Sequence, residues 1–162
     1  MSTTLPFRAE LPANFDLDRV EWLQLVGSPQ FDYPIDYSIA VTYADRATGR
    51  LDLLVKWAPG AYCHFHRHVC TTVSRVIEGE QHVIETRPKE TVHKIRQPGF
   101  TGLTPDNEVH MERAGPSGCM MLFAMQADDG RMFEVLDKDG NVLVTATFDD
   151  FLSGRLGRPK AA

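Results

Sequence analysis

The sequence predicts an all-β domain, a sandwich or a closed barrel. Apolar, β-branched and aromatic residues fall in about ten short runs at turn spacings near 8–12 residues, the pattern of antiparallel sandwiches and barrels. Helical periodicity is scarce. The segment Asp137-Lys138-Asp139-Gly140-Asn141 between two such runs carries the Asp-Gly chemistry of a hairpin. At 162 residues the chain is long enough for one domain with a core of its own.

Residues 1–19 hold Pro6, Pro12 and Asn14 and are expected to form an extended arm. The domain proper is expected over 20–152. Val20 to Val26, Tyr37 to Tyr43 and Leu51 to Trp57 are the first strand candidates, closed by Gly27-Ser28-Pro29, Thr48-Gly49 and Pro59-Gly60. Tyr62 to Val69, Thr72 to Ile77, His82 to Thr86 and Thr91 to Arg96 follow. Glu78-Gly79-Glu80, Pro88 and Pro98-Gly99 separate them. Phe100 to Leu103, Glu108 to Arg113 and Gly118 to Gln126 come next, with breaks at Pro105-Asp106-Asn107 and Gly115-Pro116. Met132 to Leu136 and Val142 to Thr147 flank the hairpin turn. Phe148 to Leu152 suits one short closing helix, and 153–162 a flexible tail. Asp137, Asp139 and Asn141 superficially resemble the start of a calcium loop, but the closing glutamate is missing, so a turn is expected.

Charge and composition exclude several functions. Seventeen Lys and Arg against 22 Asp and Glu give a net charge of −5, poorly suited to a phosphate backbone, so no nucleic-acid partner is expected. No run approaches the roughly 18 apolar residues of a membrane helix. The first residues lack the basic start and apolar stretch of a secretory signal. Three cysteines, Cys63, Cys70 and Cys119, make a disulfide framework improbable and a reducing cytoplasm the expected compartment.

Histidine carries the chemistry. His64, His66 and His68 crowd into one strand candidate, and alternate residues of a strand share a face. Imidazoles two residues apart can converge on one ion about 2.0–2.2 Å from each nitrogen. A polar strand face open to water is the plain alternative. Cys63 is expected to face away from these rings. His110 follows a turn at the start of a later strand, where a third ligand from a neighbouring strand would sit.

Gly60, His64, His66 and Gly79, then Gly99, Pro105 and His110, resemble the two motifs of the cupins. The first motif is written G-x5-H-x-H-x3-4-E-x6-G, and here Gly60 stands closer to His64 than it asks. The second is G-x5-P-x-G-x2-H-x3-N. Gly99, Pro105 and His110 fall in register with it. Thr72 stands where the glutamate belongs, Asn107 replaces a glycine and Ala114 the final asparagine.

The resemblance implies a single cupin barrel, a jelly roll or double-stranded β-helix. It also implies one divalent ion held by three neutral histidines, His64, His66 and His110. An ion so held keeps its full charge and suits an anionic ligand such as an enolate. The chain looks most like the small acetylacetone and dihydroxyacetophenone dioxygenases, with Trp22 and Asp139-Gly140 fitting that layout. The implied activity is cleavage of a C–C bond of a small diketone or hydroxyaryl ketone by O2 on Fe(II), with Zn(II), Ni(II) or Mn(II) as other metals. A non-enzymatic metal-binding sensor and a non-redox isomerase or lyase are the alternatives. A homodimer or homotetramer is expected by analogy.

Further site candidates come from strand geometry. Glu108 and Glu112 alternate with His110, so each can reach the ion or orient a ring. Thr72 and Ser74 are expected to point inward. His68 is a fourth ligand, an acid/base group or a solvent-facing residue. His82 and His93 read as ordinary strand histidines. Met121, Phe123 and Met125 read as core, and Trp57 and Tyr62 as packing at the barrel mouth.

Overall fold

The computed structural model describes residues 20–105 and 107–156 and the backbone of 158–159. The expected arm over 1–19 lies outside the described residues. The strands in chain order are β1 (Leu23–Val26), β2 (Asp36–Asp45), β3 (Arg50–Trp57), β4 (His66–His68), β5 (Thr71–Thr86) and β6 (Thr91–Arg96). Then come β7 (Thr101–Thr104), β8 (Val109–Gln126), β9 (Arg131–Leu136), β10 (Val142–Thr147) and β11 (Arg158–Pro159). One helix, α1 (Phe148–Ser153), follows β10.

The sheet runs β10-β9-β4-β8-β3-β2-β1-β11 and curls on itself through β5, which pairs with β6, β7 and β8. β8 is the spine. Its first half lies between β4 and the end of β5, and its second half between β3 and the start of β5. Two residues of the expected tail, 158–159, pair antiparallel with β1.

Two expected breaks are bends within long strands. Thr72 to Ile77 and His82 to Thr86 are both parts of β5, and Glu108 to Arg113 and Gly118 to Gln126 belong almost wholly to β8. The ladder between them slips at Val76/Glu78 and again at Gly79/Gln81, so the strands bend together without ending. Pro116 is tolerated because it falls in this irregular stretch, where a missing N–H breaks no regular ladder. Gly79 (φ +70°) packs so closely that a Cβ there would lie 2.1 Å from the Gly118 carbonyl oxygen.

Alternation fills the barrel. Leu51, Leu53, Val55 and Trp57 of β3 turn inward with Met121, Phe123 and Met125 of β8, all buried. α1 starts at a capping box, in which Thr147 Oγ1 accepts from the Asp150 N–H and Asp150 accepts from the Thr147 N–H. Gly154 closes it in the left-handed conformation. Phe148 and Phe151, one turn apart, bury the helix against the barrel end. The β9–β10 turn is built on Asp137, whose Oδ1 accepts from the N–H groups of Asp139 and Asn141.

A candidate metal centre at the end of a cavity

β4 is shorter than the run Tyr62 to Val69 suggests. Tyr62 makes only isolated bridges, to Ile35 and Arg113, and residues 63–65 stay outside the ladder. The strand geometry therefore begins at His66. His66 and His68 project inward, with Arg67 between them, and His110 of β8 stands directly opposite His66. The three rings lie 4.7–5.1 Å apart between centroids. Their donor nitrogens all fall within 4.8 Å of one another.

Each ring is held by its Nδ1. His66 Nδ1–H donates to the His64 carbonyl at 2.7 Å. His68 Nδ1 lies 2.8 Å from Thr72 Oγ1, which itself donates to the Cys70 carbonyl at 3.3 Å. That hydroxyl proton is spent, so the His68 Nδ1 is the donor. His110 Nδ1 lies 3.3 Å from Glu108 Oε1. All three Nε2 atoms are left with lone pairs, His110 Nε2 is buried without a partner among the described residues, and His66 Nε2 and His68 Nε2 stand 3.2 Å apart. Converging lone pairs in a dry interior repel unless a cation lies between them. Two ligands about 2.1 Å from one ion, at tetrahedral or octahedral angles, are about 3.0–3.4 Å apart. The group therefore fits a divalent metal.

Electrostatics agree with that fit. Burial pulls the His66 imidazole down to about 3, with His110 adding to the effect. Burial likewise holds His68 well below its ordinary value, helped by His66 and His110. Both rings are neutral at physiological pH, the form that binds metal.

This triad keeps His66 and His110 of the set His64, His66 and His110 that the motif reading expects and has His68 in place of His64, a two-residue shift of the first motif. Five residues separate Gly60 from His66, three separate His68 from Thr72, and six separate Thr72 from Gly79. The first motif therefore fits with His66 and His68 as its histidines. His64 instead sits in the bend before β4. Its Nδ1 is 3.0 Å from the Tyr37 hydroxyl and its ring meets the edge of Phe31. Burial lowers its pKa too.

Thr72 is brought to the site, but as the support of His68. Glu108 is brought there as the support of His110. Cys63 does not face away: its Sγ lies 3.6 Å from His66 Nδ1 and donates to Glu112 Oε2 at 3.8 Å. Burial, with Glu112 adding to it, raises that thiol well above its ordinary pKa, so it stays protonated. Ser74 is buried as expected. His82 and His93 pair with each other at 2.8 Å, and His82 also meets Glu80.

A cavity of about 330 Å³ leads to this end of the barrel. His64, His66, Cys63 and Glu112 line its polar end, and Trp57, Phe123, Phe133, Val135 and Phe151 much of its apolar wall. Trp57 is 3% exposed, and its indole N–H has no partner among the described residues. Tyr37, stacked on Trp57, was not foreseen as a site residue, nor was Gln81, which holds Glu112.

No protein-family profile matches the chain, and no curated protein matches it in sequence. Solved structures do match. An acetylacetone dioxygenase from Acinetobacter johnsonii superposes with a TM-score of 0.67 over 91% of this chain and 92% of its own, at 11% identity. A cupin 2 conserved barrel domain protein from Rhodopseudomonas palustris gives 0.60 over 75% and 81%, at 14% identity. A cupin-like protein from Thermotoga maritima gives 0.56 over 82% and 93%, at 20% identity. Identity this low speaks for architecture alone, and the architecture agrees with the curled all-β sheet and the two sequence motifs: the chain has the cupin fold.

Proposed function

We propose that the protein is an Fe(II)-dependent dioxygenase that cleaves a C–C bond of a small diketone or hydroxyaryl ketone. His66, His68 and His110 hold the metal. The observation that supports this best is the convergence of three Nε2 lone pairs, each ring pinned through its Nδ1. Bound there, iron would supply Lewis acidity and an electron route to O2.

The chain's own residues do the rest. Thr72, Glu108 and the His64 carbonyl fix the rings so that no ring must turn to bind. Phe133 packs edge-on against both His66 and His68, keeping water from that side. The apolar wall accepts the carbon skeleton of a ketone. Tyr37 and His64 offer polar contacts to its oxygens. Likeness in fold to an acetylacetone dioxygenase puts diketones first in any substrate panel.

The test is metal analysis of untagged protein by plasma mass spectrometry, then O2 uptake after anaerobic Fe(II) loading with diketones and hydroxyaryl ketones. Near-stoichiometric iron and substrate-dependent uptake are expected. Tightly held zinc or nickel, with no uptake after iron exchange, would move the assignment to a non-redox cupin or a sensor.

A further inference from the structure

Glu112 is a buried carboxylate that the three-histidine reading does not use. It is 4% exposed, on the same face of β8 as His110. Gln81, itself buried, donates its Nε2–H to Glu112 Oε1, and the Gln81 side-chain Oε1 accepts from Arg96 at 3.4 Å. One carboxylate oxygen is thereby fixed. The other, Oε2, receives among the described residues only the weak S–H donor of Cys63. The Cys63 sulfur is held in turn by the Glu112 backbone N–H at 3.3 Å. Among the described residues neither direct partner of the carboxylate, Gln81 or Cys63, is a Lys or Arg, and Arg96 reaches it only through Gln81.

Oε2 also lies 3.7 Å from His66 Nε2. That nitrogen carries a lone pair, because its ring proton sits on Nδ1 and is donated to the His64 carbonyl. So a carboxylate oxygen and an imidazole lone pair face each other in a dry place. Buried charge persists where it is paired or coordinates a metal, and among the described residues no Lys or Arg bonds to either group directly. Both groups also line the cavity, so the space between them is where an entering ligand would arrive.

The geometry points to Glu112 as the counter-charge of the ion and the hydrogen-bond acceptor at its cavity-facing position. It would take over from β8 the negative charge that Thr72 leaves missing on β5. This inference rests on the three-histidine reading. An ion with three neutral histidines and one carboxylate beside it carries one net positive charge instead of two. The site then suits a singly charged anion. Oε2 would accept from any ligand atom that keeps a proton beside the metal-bound oxygen.

The test compares wild type, Glu112→Gln and His68→Ala as metal-free proteins. Zn(II) and Co(II) affinities are measured by competition with a coloured chelator, and stability by urea unfolding without metal. Glu112→Gln keeps the shape and leaves an acceptor for Gln81. It is expected to weaken metal binding roughly 10–100-fold, the usual loss when a group supporting a metal site is removed. Without metal it should be at least as stable as wild type, because a buried acidic group with no direct cationic partner among the described residues has been replaced by a neutral amide of the same shape. Unchanged affinity in Glu112→Gln, with binding lost in His68→Ala, would overturn the role of Glu112 and leave the triad standing. A metal-free Glu112→Gln protein much less stable than wild type would assign the carboxylate to the fold and also overturn the inference. Wild type that binds neither ion would remove both readings.

Discussion

Thr72 shows how one residue can change its part without leaving the site. Its hydroxyl is too short and too weak a donor set to replace a carboxylate on a metal, yet it is buried and locks the His68 ring. Thr72→Val keeps the shape and removes that lock, so metal affinity should fall roughly 10–100-fold with little loss of fold. An unchanged affinity in chelator competition would show that His68 is held by packing alone. The two-residue register makes a sharper test. His68→Ala should abolish metal binding, whereas His64→Ala should retain a full equivalent of metal by plasma mass spectrometry. The reverse outcome would restore His64 as the ligand. The second motif was legible because Gly99, Pro105 and His110 sit at fixed intervals in a simple turn and strand. The first was misaligned although its spacing fits His66 and His68: the strand-like composition of Cys63, His64 and Phe65 drew His64 into the strand, and the structure shows that pairing starts at His66. Glu112 was visible as a residue on the right face. That it would be buried, with Gln81 on one oxygen and Cys63 on the other, depends on a slip in the β5–β8 ladder that no local pattern announces.

At the scale of elements, β5 and β8 decide the shape of the site. They run side by side through a shared bend, and Gly79 and Gly118, both at positive φ, stand where the backbones come closest. Gly79→Ala forces a left-handed alanine and drives a Cβ into a carbonyl oxygen. It should cost roughly 3 kcal/mol or more in urea unfolding. Gly60 has a similar φ of +69° with nothing within 4 Å of a Cβ, so Gly60→Ala should cost only about 1 kcal/mol. Equal losses at the two positions would show that conformation alone, and not the close approach, sets the bend. Sequence patterning found most strands but cut these two in half, because Gly-Pro and Glu-Gly-Glu normally end a strand. A strand paired on both sides can carry such residues through a bulge, and β8 is paired on both sides for much of its length.

For the whole molecule, the buried histidines tie stability to acidity. The unfolded chain takes up protons at its histidines as pH falls through about 6.5. The folded chain resists until about 3 at His66, and His68 is shifted in the same direction. Between those limits the unfolded state binds more protons. The metal-free protein is therefore fully stabilised by these groups above about pH 6.5 and loses that contribution as the pH drops towards 3. Urea midpoints should fall between pH 7.5 and pH 5, and a level profile would argue that the rings are solvated. Divalent metal should shield the protein from this loss at moderate acidity, because protons and the ion compete for the same nitrogens.

The meeting of His66 with His110 has a kinetic side. β4 and the start of β8 are separated by the whole of β5, β6 and β7, so their contact closes a long loop and is expected to complete after the local pairings that set the folding rate. A ligand gripping a contact that forms after the rate-limiting step leaves the folding rate alone and slows unfolding. An ion held there would act less as a template than as a latch, lengthening the lifetime of a barrel that has already closed.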